Sequence, residues 1–212
     1  DSLSNLNNIA LSLQDEKNYN EAIIIFENIL RSSDSTNILS KARYLDNLAY
    51  TRWLQDSTTN VEDDLLEARN IRLLNNGKNG LLASYDHLAN YYRNSDENIS
   101  KIYADSLLLT ARELNSKSAQ LNAIEKLIQL SPMEAQPGQS VTITGTGFPG
   151  FTVVSEIIVG GVNHTPSPSP STDAFGAFTG TILIAAFNPD VYLVTVTVGD
   201  TTARSFFTVT GF

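Results

Sequence analysis

Residues 123–151 read AIEKLIQLSPMEAQPGQSVTITGTGFPGF, and the chain changes character inside them. Before Ser131-Pro132 the apolar residues recur at helical spacing. After it Val141 and Ile143 alternate with Thr142 and Thr144, the period of a strand. Composition changes at the same place. Residues 1–131 hold 13 basic and 18 acidic side chains, whereas the remaining 81 hold one basic residue, Arg204, and five acidic ones. Six of the seven prolines follow Pro132. Proline is excluded from helix interiors and β-branched residues favour strands. The fold class expected is therefore α plus β, with an all-α domain over 1–131 and an antiparallel all-β domain over 132–212.

The same stretch contains a G-x-G-x-x-G at Gly145, Gly147 and Gly150. A dinucleotide site needs a helix N-terminus directly after the glycines, because free N–H groups there hold the phosphates. Here FTVVSEIIVGG follows, which alternates and is β-branched, and Pro149 removes an N–H from the loop. The glycines read as a tight turn between two strands, and no cofactor is expected.

With 212 residues and 42% hydrophobic content the chain can build one large or two modest cores. No apolar run approaches the ~20 residues of a membrane span, and no signal-peptide pattern stands at Asp1, so membrane insertion is not expected. A net charge of -9 disfavours binding to nucleic-acid phosphates, which takes clustered Lys and Arg. The absence of cysteine excludes disulfides, thiolate nucleophiles and cysteine zinc sites.

Upstream of the junction, Leu6, Ile9, Ala10 and Leu13 form one stripe and Ala22, Phe26, Ile29 and Leu30 the next, joined by DEKNYN. Leu45, Leu48 and Ala49 then face Val61, Leu65 and Ala68. Tyr85, Leu88, Ala89 and Tyr92 face Tyr103, Leu107, Leu108 and Ala111. The pattern predicts seven helices at 2–15, 19–32, 38–55, 61–75, 79–93, 98–115 and 117–130, repeating every ~34 to 40 residues. With its carriers LNNIALSLQDEKNYNEAIIIFENIL (6–30) and SYDHLANYYRNSDENISKIYADSLLLTARELN (84–115), this part resembles a tetratricopeptide repeat (TPR) array. The middle repeat departs from the pattern at Val61.

Downstream, Val153, Ile157, Val159; Phe178, Ile182, Ile184; Tyr192, Val194, Val196, Val198; and Phe207, Val209 continue the alternation, separated by GGVNH, DAFG, NPD and GD. The block SPMEAQPGQSVTITGTGF and the closing strand resemble an immunoglobulin-like β-sandwich of the TIG (IPT) type, found in bacterial surface proteins.

The TPR resemblance implies that the first helix of each pair lines a concave face. Mapped by repeat position, that face carries Asn7, Leu11, Arg43, Asp46, Asn47, Tyr50, Trp53, Asp86, His87, Asn90 and Arg93, a candidate protein-binding groove. Aromatics and Arg are the usual anchors of interfaces. Catalysis is not expected. His87 and His164 are the only histidines, and neither sits in a nucleophile turn nor in a paired metal-binding motif. Glu62, Asp63 and Asp64 are explained by a helix N-terminus, where negative charge is favourable.

TPSPSPST (165–172) stays extended and reads as an exposed loop. Candidate glycan acceptors are Asn98 and Asn163 in N-x-S/T sequons. Ser2, Ser35, Ser57, Ser106 and Thr201 each follow Asp, in a pattern similar to an O-glycan acceptor of secreted bacterial proteins. The expectation is a non-catalytic extracellular or cell-surface structural protein, possessing protein partners, among them copies of itself in a fibre in which Phe212 docks on a neighbour. The alternative is an extracytoplasmic sensory or peptide-binding module of a signalling receptor.

Overall fold

A computed structural model of the chain describes residues 2–33, 37–184 and 187–211. Ser35 and Phe212 lie outside the described residues. Among the described residues the order is seven helices and then eight strands: α1 (Ser2–Asp15), α2 (Tyr19–Ser32), α3 (Ile38–Gln55), α4 (Glu62–Leu74), α5 (Lys78–Tyr92), α6 (Glu97–Glu113), α7 (Lys117–Lys126), β1 (Gln129–Ser131), β2 (Glu134–Ala135), β3 (Ser140–Gly145), β4 (Val154–Val159), β5 (Val162–Asn163), β6 (Phe178–Leu183), β7 (Asp190–Val198) and β8 (Thr201–Val209). The chain forms two compact units, Asp1–Thr110 and Ala111–Phe212. Secondary structure and packing divide it differently, since α7 is helical yet packs on β8 in the second unit.

In the first unit the helix ends follow local chemistry. Asn37 Oδ1 accepts from Ser40 N at the start of α3, and Asp96 Oδ1 accepts from Ile99 N at the start of α6. Glu62, Asp63 and Asp64 occupy the first turn of α4. Lys17, Asn76 and Asn115 take positive φ just after helices, turning the chain into the next element. Helix α2 buries Ala22, Phe26 and Ile29, at i, i+4 and i+7, with Ala10 of α1 and Tyr44 and Leu48 of α3. A second cluster joins Ala49, Val61, Leu65, Leu88 and Tyr92. Each of α1 to α4 packs on its successor, and α3 also touches α1 and α5.

In the second unit β1-β3-β6 form one antiparallel sheet, and β2-β8-β7-β4-β5 form another in which β2 runs parallel to β8. Alternation places Val141, Ile143 and Ile182 of the first sheet and Ile157, Val159, Val194, Val196, Val198 and Phe207 of the second in the core. One element corrects the sequence reading. A seventh helix was expected to reach residue 130, but it stops at Lys126, and Gln129–Ser131 pair with β3. The run Leu127, Ile128, Leu130 is apolar enough for either structure, and the register Leu130↔Ile143 decides it.

The glycines of GTGFPG serve this sheet. β3 ends at Gly145 and the next element after Gly150 is β4, with no helix between. Gly147 adopts φ 83°, a left-handed turn conformation natural to glycine.

Candidate protein-binding groove

Along the first unit, α1, α3, the end of α4 and the start of α5 line an open cavity of about 670 Å³ whose residues include Asn7, Leu11, Arg43, Asn47, Arg72, Lys78 and Gly80. Four of the predicted groove residues, Asn7, Leu11, Arg43 and Asn47, meet there. Asn7 and Asn47 are both buried, and Asn47 Nδ2 donates to Asn7 Oδ1 at 2.9 Å, tying α1 to α3. Thr51, one turn further on α3, donates from its hydroxyl to Asn47 O at 2.6 Å.

Beneath this face lies a charged core. Asp46 is wholly buried, and Arg72 Nη1 of α4 donates to its Oδ2 at 2.7 Å and to Ser84 Oγ of α5 at 2.6 Å. His87 Nδ1 approaches the same Asp46 oxygen at 3.3 Å, without the alignment of a hydrogen bond. Burial pushes the Asp46 carboxyl up. The electrostatic pull of His87 and Arg72, with the Arg72 hydrogen bond, outweighs that and holds it below the ordinary value of 3.8.

His87 lies on α5 with its ring stacked on Tyr50 of α3, centroids 3.8 Å apart and planes 8° apart. Tyr50 continues to Trp53 at 5.5 Å, and Trp53 meets the edge of Tyr91 at 6.1 Å. Asn90 Nδ2 donates to Tyr50 Oη at 2.9 Å. Burial, reinforced by the charge of Asp86, pushes the Tyr50 phenol up to about 12 against the counteracting Asn90 bond. Burial and Glu62, which accepts from its hydroxyl, also raise Tyr92. Thus Asp46, Tyr50, Trp53, His87 and Asn90 form a second, aromatic cluster beside the cavity. Asp86 is half-buried on α5, and Arg93 is exposed just past its end.

The sequence reading missed Arg72, Ser84 and the cavity rim at Asn76–Gly80. Arg72 carried a signal: it continues the buried stripe Leu65, Ala68 of α4, where a charge demands a partner. The rim comes from a turn, invisible to periodicity. A hydrolytic triad would need a histidine between the carboxylate and a hydroxyl, yet Arg72 holds Ser84. Among the described residues no three His, Asp or Glu side chains gather to hold a metal ion.

Of the candidate acceptors, Ser2, Ser57, Asn98 and Asn163 are exposed, and Ser106 and Thr201 are half-buried. Asn163 Oδ1 accepts from both Thr165 N and Thr165 Oγ1. Ser106 Oγ donates to Ile102 O at 2.8 Å. His164 is half-buried with its ring 5.7 Å from Phe187.

No family model matches the sequence, and no curated protein matches it. Among solved structures, the chain is similar to the crystal structure of the S-layer protein rSbsC(31-844), at 16% identity and a TM-score of 0.22, over 99% of this chain and 32% of that one. It is also similar to domains 1-6 of the surface layer protein SbsC, at 17% identity and a TM-score of 0.24, over 98% of this chain and 31% of that one. The chain thus spans about a third of either structure's length, and scores of this size do not amount to a shared fold. Among the described residues no helix is long and apolar enough to cross a membrane.

Proposed function

We propose that this chain is a non-catalytic structural protein of the cell surface that works through protein contacts, and that the α1–α3–α5 face receives an extended, carboxylate-bearing segment of a partner. One observation carries the reading. The cavity lining includes Arg43, Arg72 and Lys78 and no Asp or Glu, in a chain of net charge -9. Asp46 already neutralises Arg72, so Arg43 defines the attraction, and Asn7 and Asn47 add amides to the lining. Oriented cations of this kind raise association rate and select the sign of the partner. In this reading the helical unit is a TPR-like array and the strand unit an immunoglobulin-like sandwich that spaces or supports it. The surface location rests on the exposed acceptor sequences at Ser57, Asn98 and Asn163.

The test uses Trp53, the only tryptophan, as reporter. The full chain is titrated with a glutamate-rich peptide and with a lysine-rich peptide of equal length. The reading expects a saturable change in Trp53 emission with the acidic peptide alone, lost in R43E. Equal responses to both peptides, or none to either, contradict it.

A further inference from the structure

Phe151 and Phe175 stand 81% and 84% exposed at one end of the strand unit, on loops that are not loose. Phe151 N donates to Asp173 O at 3.1 Å, Thr172 N to Thr152 O at 2.9 Å and Phe148 N to Gly176 O at 3.2 Å. The buried Thr172 hydroxyl donates to Pro149 O at 2.6 Å and accepts from Thr152 N at 2.9 Å. Asp173 Oδ1 turns inward to accept from Phe175 N and Ala177 N. Phe151 is held at φ 53°, which a bulky residue adopts only where its surroundings impose it. Two loops bolted together to present two phenyl rings to water form a preorganised contact surface.

A second apolar surface lies on the same unit. On the outer face of β7 and β8, Leu193 pairs directly with Phe206, and Val191 stands one step further along. All three are exposed, Phe206 by 67%. Arg204, the only basic residue after Lys126, shares that face two positions from Phe206.

The two surfaces sit toward opposite ends of β7. The Val198 end leads into Gly199, which lies against Thr152 and Pro149 at the foot of the phenyl loops. Val191 is seven residues back along β7, roughly 23 Å at ~3.3 Å per residue. A single molecule therefore does not cover one surface with the other. Charge also fits a second copy: residues 146–153 and 172–177 hold no Lys or Arg, the one guanidinium bonded to them is Arg112 on Gly147 O, and Arg204 offers a cation to the electron-rich face of an aromatic ring.

We propose that the strand unit associates head to tail with a second copy, Phe151 and Phe175 of one molecule seating on the Val191–Leu193–Phe206 face of the next. This goes beyond the groove reading and does not depend on it. The contact is heterologous, so it extends into open chains unless its rotation closes a ring. Five side chains make a small interface, below the ~1,000 Å² of a stable one, so association appears only at high concentration.

The experiment is sedimentation of the full chain over a concentration series, with two variants whose changes fall on exposed positions: F151S/F175S and L193T/F206T. Circular dichroism checks that both fold. The wild type is expected to grow with concentration, and each variant to remain monomeric. A one-to-one mixture of the variants retains one intact pair of surfaces, so it is expected to form dimers and nothing longer. A wild type that stays monomeric overturns the proposal, as does either variant that grows like the wild type or a mixture without dimers. A monomeric wild type that binds phosphatidylcholine vesicles through its phenyl loops overturns it in favour of a lipid surface.

Discussion

Arg72 Nη1 meets Asp46 Oδ2 at 2.7 Å with both side chains almost wholly removed from solvent. The pair links α3 to α4, and through Ser84 to α5, so one guanidinium joins three helices behind the candidate groove. Removing one member leaves a buried charge without compensation. D46A is therefore expected to destabilise the helical unit by about 3–5 kcal/mol, whereas replacing Asp46 and Arg72 together by apolar residues of similar volume costs far less. Urea denaturation followed by far-UV circular dichroism compares the two. Equal losses would show that the ion pair is not the cause.

The same carboxylate makes the helical unit sensitive to acid. The folded-state pKa of Asp46 lies below the unfolded value of 3.8. Between the two the unfolded chain binds the extra proton, so stability rises with pH there. The contribution is complete above 3.8 and is lost as pH falls through the folded pKa. D46N is expected to lose that part of the pH slope, and thermal melts of wild type and D46N between pH 5 and pH 2 read it. Parallel slopes would assign the acid sensitivity to other groups.

How much of this was legible beforehand follows from which forces act locally. Helical periodicity located α2 and α3, because the stripes Ala22–Phe26–Ile29 and Leu45–Leu48–Ala49 are buried as written, whereas in the α1 stripe Ala10 is buried and Leu6 and Ile9 are exposed. It failed at Gln129–Ser131, where a short apolar run becomes a strand only because β3 lies beside it. Repeat position brought Asn7, Leu11, Arg43 and Asn47 to one cavity. It could not show that Asp46 is turned inward onto Arg72, since that pairing spans 26 residues. Nor does sequence reveal that the phenyl loops are stitched together, for the bonds run through backbone carbonyls such as Asp173 O and Pro149 O.

Tyr50 gives a prediction at the alkaline end. Its pKa of about 12 against an ordinary 10.0 means that the folded protein holds it neutral after an unfolded tyrosine would have ionised. The stability linked to it is complete below 10.0 and is lost as pH rises through about 12. In a spectrophotometric titration of tyrosinate, Y50F is expected to remove a late-ionising component. Asn90 donates to the phenolic oxygen and favours its charged form, so N90A is expected to delay that component further. An unchanged late component in Y50F would assign it to another tyrosine, with Tyr92 the first candidate, since burial and Glu62 raise it as well.

Gly176 makes the most demanding close approach in the strand unit. It sits at φ 76°, and a Cβ there would fall 1.8 Å from Phe148 O. That carbonyl belongs to the same loop whose N–H donates to Gly176 O, so neither backbone can retreat without breaking the bond between the two loops. G176A therefore combines left-handed strain on an alanine with overpacking, each on the order of 1–3 kcal/mol. By contrast, a Cβ on Gly138 meets nothing within 4 Å, although its φ is 87°. G138A is expected to cost only the left-handed strain of ~1–2 kcal/mol. Comparing the two variants by chemical denaturation separates steric contact from backbone conformation. G176A should be clearly the less stable. Equal destabilisation would mean that the phenyl loops yield more readily than their hydrogen bonds imply, and the preorganisation of Phe151 and Phe175 would lose its basis.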